Sequence, residues 1–294
     1  MELICDTNVW YDIGSGRIDA HYIKSQGHAL LATAVNVLEI GSKLTDKSLP
    51  ARRQAAAAIL NHASRIVEDP ERHLGTIWQT SLPPLKTDWK DIIKAVSQAP
   101  DMASFTNGII DTVDRVIRSV DYNLATRWRD RVYSNFADDV IKVLDKESPG
   151  YAAARAQKKG LAMRQTQLTQ FQAKMANPGM FAAAILATYQ RVRLQVRDAA
   201  PQPTKCLQDA ASQSLTNYAR AYSAYLIHIA AGVAPEPNDW GDLEAFIYLH
   251  DGKKLLTSEK KWYTIAQRAG IERDVLNPKV FAQPTKSIES RRQE

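Results

Sequence analysis

The chain has 294 residues, 45% of them hydrophobic, with 38 Lys and Arg against 32 Asp and Glu for a formal net charge of +6. That is enough apolar material for one large or two ordinary domains with their own cores, which excludes a disordered or fibrous protein. No apolar run approaches the roughly 18 residues that span a bilayer, and Glu2 and Asp6 stand where a secretory signal needs a basic and then an apolar stretch.

Two cysteines, Cys5 and Cys206, build neither a disulfide framework nor a zinc site, so both are read as packing residues in a reducing cytoplasm. Along the chain, "ELICD" predicts a strand from Glu2 to Asp6, followed by a helix. A second apolar run, "ALLAT" at 29–33, leads into "AVNVLEIGSKL", where Val35, Leu38 and Glu39 fall at helical spacing. Residues 51 to 234 then read as helix throughout. From Ile109 to Leu144 apolar residues recur at three- and four-residue steps, which predicts one long amphipathic helix, or two nearly collinear ones, over about 102–147. Breakers at "LPP", "SPG", "NPG" and "PQP" divide the remainder, with helix starts at Thr87-Asp88 and Pro203-Thr204. The row Leu207, Ala211, Leu215, Tyr218, Tyr222 and Tyr225 is read as core packing rather than a surface for stacking bases.

Charge is unevenly placed. Residues 151–220 hold ten basic residues, among them Arg155, Lys158, Lys159, Arg164, Arg191, Arg193 and Arg197, against only Asp198 and Asp209, a net +8. A polyanion is the first partner to consider, and a solvated helix face is the equal alternative. The last part, "PNDWGDLEAFIYLHDG", "KKLLTS", "EKKWYTIAQRAG" and "DVLNP", reads as helix, strand, helix, strand, before a frayed tail "TKSIESRRQE". With the first fifty residues this is α/β alternation, and it argues for a parallel sheet flanked by helices.

Acids sit at equivalent places in the α/β parts. Asp6 ends the first strand, Glu39 lies in the helix after "ALLAT", Asp242 lies in a helix start with Asp239 three residues before it, and Glu259 follows "KKLLTS". The carboxyl ends of parallel strands share one sheet edge, so these acids can converge. Clustered carboxylates repel one another unless a cation neutralises them, and oxygen-only ligands select Mg²⁺ or Mn²⁺. Other chemistries lack their signatures. There is no P-loop, no G-x-G-x-x-G and no G-x-S-x-G elbow. The six histidines show no H-x-x-x-H spacing and are read as surface or packing residues.

The stretches "LICDTNVW", "LEI", "NDWGDLEAFIYLHDGKKLLTSEKKW" and "AGIERDVLNP" resemble the PIN-domain nucleases, including the VapC-like toxins. The resemblance covers roughly 1–50 and 235–280, and the helical part, 51–234, then reads as a large all-α insertion in a discontinuous PIN-like domain of residues 1–50 and 235–294. It implies that Asp6, Glu39 and Asp242 bind Mg²⁺ or Mn²⁺, with Glu259 or Asp239 assisting. Glu259 stands where the family more often carries aspartate, and Asn8 and Thr257 match small polar positions that orient ligands or water. The implied activity is a metal-dependent ribonuclease, a toxin or defence effector restrained by an inhibitory protein, with basic residues of the insertion guiding nucleic acid. A degenerate PIN-like protein that binds nucleic acid or acts as a scaffold, and a DNA-directed nuclease, are the alternatives. Helical stripes buried within one chain or across two leave a homo-oligomer open.

Overall fold

The computed structural model describes residues 1–41, 45–77, 89–104, 142, 145–146, 213–230 and 239–281. Five strands, β1 (Glu2–Cys5), β2 (Ala29–Thr33), β3 (Ala63–Val67), β4 (Lys254–Leu256) and β5 (Val275–Leu276), form one sheet in the order β3-β2-β1-β4-β5. Every pairing is parallel, with Ile4 opposite Leu31 and Cys5 opposite Leu256. β1 is therefore central, and residues from both ends of the sequence flank it.

Helices cover both faces, as the alternation of side chains along a strand requires. Leu3, Cys5, Leu30, Ala32 and Leu256 face one apolar cluster. That cluster is completed by α1 (Thr7–Gly14), α2 (Ala20–Ser25), α3 (Ala34–Gly41), α4 (Leu49–His62) and α6 (Trp89–Gln98). Ile4, Leu31 and Leu255 face the other cluster, built from α7 (Thr216–Ala230), α8 (Asp239–Glu244) with the 3₁₀ turn Ala245–Tyr248, and α9 (Lys260–Ala269). Leu215, Tyr218, Tyr222 and Tyr225 lie in this second cluster, so the aromatic row is core packing. Among the described residues no helix is long and apolar enough to cross a membrane.

The strands and helices expected in the first forty residues and after residue 239 are present, with Asp239–Glu244 forming α8 and Ala245–Tyr248 a 3₁₀ turn where one longer helix was expected. The reading of 51–234 as helix throughout is wrong at Ala63–Val67, which is the edge strand β3. Among the described residues only β2 pairs with it, and its own residues are partly buried or exposed, so "ASRIV" lacks the continuous apolar character of β1 and β2. The alanine-rich α4 also runs directly into it without a breaker, and α4 and α6 pack on the sheet although both follow residue 48. The expected helix over 102–147 lies outside the described residues except at 102–104, 142 and 145–146. Leu207 and Ala211, the helix starts at Thr87-Asp88 and Pro203-Thr204, and the tail also fall outside them.

What positions the site is how little chain separates strand from helix. One residue separates β1 from α1, none separates β2 from α3, and three separate β4 from α9. α1 is seated against α4 at Gly14, where an added Cβ would lie 2.6 Å from the backbone carbonyl of Gln54. Gly14→Ala should therefore lower stability by about 1–3 kcal/mol, as overpacking against an unyielding backbone does. The melting temperature followed by circular dichroism should fall by several degrees, and an unchanged value would mean that α1 does not rest on α4 as described.

Candidate functional site

Asp6 is the extended N-cap of α1 (φ −63°, ψ 155°), and its backbone N–H donates to the Leu256 carbonyl of neighbouring β4 (2.9 Å). Its side chain is held from the same neighbour: Thr257 donates its hydroxyl to Asp6 Oδ2 (2.7 Å). Thr257 is fully buried, its backbone N–H donates to Leu276 of β5, and its carbonyl accepts the Tyr263 hydroxyl (2.5 Å). Asp6 thus inherits its place from three strands.

Glu39 is fixed by a different chain of bonds. Asn36 donates through Nδ2 to Thr7 Oγ1 (2.9 Å), and Thr7 donates its hydroxyl to Glu39 Oε2. Asn36 is itself locked by reciprocal bonds with Thr33, accepting from the Thr33 N–H (2.7 Å) and donating its own N–H to the Thr33 hydroxyl (3.2 Å). This is a capping box at the β2–α3 junction, with Asn in the place usually taken by Glu or Gln. Thr7, Thr33 and Asn36 are buried. They are the site residues that the sequence analysis missed; "TAVN" after an apolar run carries the capping-box spacing, and that was the signal available.

Asp242 and Asp239 share α8 but not a role. Asp242 lines the same cleft as Asp6 and Glu39, and Gly241 beside it would place a Cβ only 3.9 Å from Glu39 Oε1. Asp239 is 2% exposed, accepts from the Tyr225 hydroxyl (2.6 Å) and pairs with the Lys261 ammonium. Glu259 is the N-cap of α9, partly buried, and accepts from Asn8 Nδ2 (2.7 Å), while its own N–H donates to the Thr257 hydroxyl (3.1 Å). Asn8 therefore holds the Glu259 carboxylate, and the Thr257 hydroxyl lies between Asp6 and the Glu259 backbone. Arg155, Lys158, Lys159, Arg164, Arg191, Arg193 and Arg197 lie outside the described residues.

The cleft is lined by Asp6, Thr7, Asn36, Glu39, Asp242 and Thr257 over an apolar floor that includes Ile4 and Trp262, and has a volume of about 20 Å³. That is room for one ion or water molecule. Burial raises the proton affinity of all four acids. For Asp6 it is opposed by the Thr257 hydroxyl, and for Glu39 by Thr7 while Asp6 and Glu259 add to it. In Asp242 burial and then the charges of Asp6, Glu39 and Glu259 push the pKa up to about 9. Glu259 is raised by burial and by Asp6. Among the described residues no three Asp, Glu, His or Cys side chains are disposed as they are around a bound metal. Asp6 and Glu39 each direct one oxygen to a hydroxyl instead.

A second cluster adjoins the cleft through Tyr248, which lines it and packs on His73 with ring centroids 4.8 Å apart. His73 and His250 meet with their Nε2 atoms 2.7 Å apart, and His250 Nδ1 lies 2.6 Å from Asp251 Oδ2. Burial and then the facing His250 push the His73 pKa down to about 4. These residues are packing histidines that also tie α5 (Pro70–Ile77) to the segment before β4.

Stability of the metal-free protein follows from these shifts. Asp242 keeps its proton in the folded state up to about pH 9 but gives it up near 3.8 when unfolded, so stability falls as pH rises through that window. His73 acts the other way, losing stability only as pH falls from 6.5 toward 4. Above about pH 6.5 the His73 contribution is complete and every raised carboxylate acts in the same direction, with Asp242 alone removing up to about 1.4 kcal/mol per pH unit up to about pH 8.5. In EDTA the melting temperature should fall across that range, and Asp242→Asn should flatten the slope and melt higher at the alkaline end; parallel curves would mean that the carboxylates are not crowded.

No family model, no curated protein and no solved structure matches the chain.

Proposed function

We propose that the chain is a PIN-like phosphodiesterase dependent on Mg²⁺ or Mn²⁺, with RNA as its substrate. The observation that carries this reading is the convergence of Asp6, Glu39 and Asp242, from three separate stretches of sequence, on one ion-sized cleft at the carboxyl edge of a parallel sheet. Glu259 stands beside them. The donor set fits the group: every charged donor is a carboxylate oxygen, the type that hard divalent cations take, and a cation there relieves the repulsion that raises Asp242.

Asp6, Glu39 and Asp242 would hold the ion. When bound, it supplies Lewis acidity toward a phosphate oxygen and a lowered pKa for water. The chain's own residues do the rest. The Thr257 hydroxyl fixes one oxygen of Asp6, and the Asn36–Thr7 relay fixes one oxygen of Glu39. Asn8 and the Thr257 hydroxyl fix Glu259 at the start of α9, where its carboxylate can accept a proton from water. The cleft is too small for a nucleotide, so the nucleic acid stays outside it. The basic residues of 151–220 would contact its phosphates without reading sequence.

One observation favours a second reading, a PIN-like protein that binds nucleic acid without cutting. Each of Asp6 and Glu39 has an oxygen engaged by a hydroxyl, and among the described residues no three ligands are already arranged about a metal position. The experiment that separates the two is incubation of the protein with cellular RNA in Mn²⁺, Mg²⁺ or EDTA. Cleavage should require the divalent ion and fall by roughly 10²-fold or more in Asp6→Asn, the scale on which loss of one electrostatic element at a reaction centre acts. Intact RNA and intact DNA in every condition, from a folded wild-type protein, would leave the binding reading in place of the nuclease.

A further inference from the structure

A cation stands next to the carboxylate cleft, outside its lining, where a nucleic acid too large to enter would lie. Lys261 is the second residue of α9, and its ammonium pairs with Asp239 Oδ1 at the start of α8, three residues from Asp242. A lysine is ordinarily a flexible stem with a solvated head. The side chain of this one is only 20% exposed, and its partner is the buried Asp239, which also accepts the Tyr225 hydroxyl. Its Nζ also lies 5.2 Å from the ring centroid of Trp262, a residue that lines the cleft. Asp239, Tyr225 and Trp262 thus anchor one positive charge beside the acids. That charge bears on the site itself, since it opposes the raising of Asp242 and of Glu259.

Phosphodiester hydrolysis needs positive charge at two places, one for the attacking water and one for the oxygens that gain charge, and many enzymes use a pair of metal ions for it. A fixed ammonium can take the second place, as lysine and arginine clamps do on transferring phosphoryl groups. Resting on the nuclease reading, we propose that Lys261 is the second cation of this site: the carboxylates take a single divalent ion, and the Lys261 ammonium takes a non-bridging oxygen of the scissile phosphate. Asp239 is then the residue that aims Lys261, which explains why an acid so near Asp242 lines no part of the cleft.

The test uses the full chain as wild type, Lys261→Met, Lys261→Arg and the double variant Asp239→Asn/Lys261→Met, the last removing both halves of the ion pair so that no buried acid is stranded. Calorimetric titration with Mn²⁺ alone should give one ion per wild-type chain. Affinity should rise by roughly tenfold in Lys261→Met, because a unit positive charge beside the ion is gone, and stay near the wild-type value in the double variant, where the negative charge of Asp239 is removed with it. RNA cleavage should nevertheless fall by about 10²-fold in both and be partly retained in Lys261→Arg. Merely structural support would weaken Mn²⁺ binding and cleavage together. Two Mn²⁺ per wild-type chain, an affinity unchanged by Lys261→Met, or near wild-type cleavage in the double variant would overturn the proposal while leaving the nuclease reading intact. A wild-type protein that binds one Mn²⁺ yet cuts neither RNA nor DNA overturns the nuclease reading and the phosphate role with it. A protein that binds no Mn²⁺ overturns both from the start.

Discussion

Asp6, Glu39 and Asp242 crowd a small cleft with the charge of Glu259 beside it, and the local arrangement answers that repulsion. Two of the four are bridged to buried threonine hydroxyls, one carries a proton at neutral pH, and a lysine is anchored alongside. A chain that used these acids only as turn formers and caps would have no reason to bring them together, since each is pushed toward its neutral form by burial and by its neighbours. Crowded carboxylates of this kind are tolerated where a cation is due.

Topology enforces the crowding. Because β1 lies between β2 and β4 and all are parallel, Asp6, Glu39 and Glu259, which follow these three strands, share one edge, and α8 brings Asp242 to it. Thr257 illustrates the coupling: one residue after β4, it bonds β5 through its backbone and Asp6 through its hydroxyl. The same residues that register the strands therefore aim the acids, and the two ends of the sequence have to fold together before the cleft exists.

Much of this was legible in the sequence because it rests on local pattern. The apolar runs of β1, β2, β4 and β5 stand out against polar flanks, and acids directly after such runs mark one edge of a parallel sheet. β3 was not legible, because an edge strand with one paired side needs no continuous apolar run and a helix-forming alanine stretch feeds straight into it. Thr7, Thr33 and Asn36 were missed because a hydroxyl and an amide carry no periodicity; their roles appear only when β2 is laid against β1. Asp239 could be seen to neighbour Asp242 along a helix, but its partner Lys261 lies 22 residues away on another helix. Only packing of α8 against the start of α9 reveals that it serves the lysine.

The most direct measurement of the central claim is anomalous diffraction from crystals of the protein soaked in Mn²⁺. The expected result is one peak in the cleft, at roughly 2.0–2.3 Å from carboxylate oxygens of Asp6, Glu39 and Asp242, the range for hard divalent cations with oxygen ligands. Lys261 should remain on Asp239 in the same crystals. An empty cleft at saturating Mn²⁺, with Asp6 still on Thr257, Glu39 still on Thr7 and Asp242 protonated, would contradict it and leave the cluster as a set of neutralised acids holding the sheet edge together.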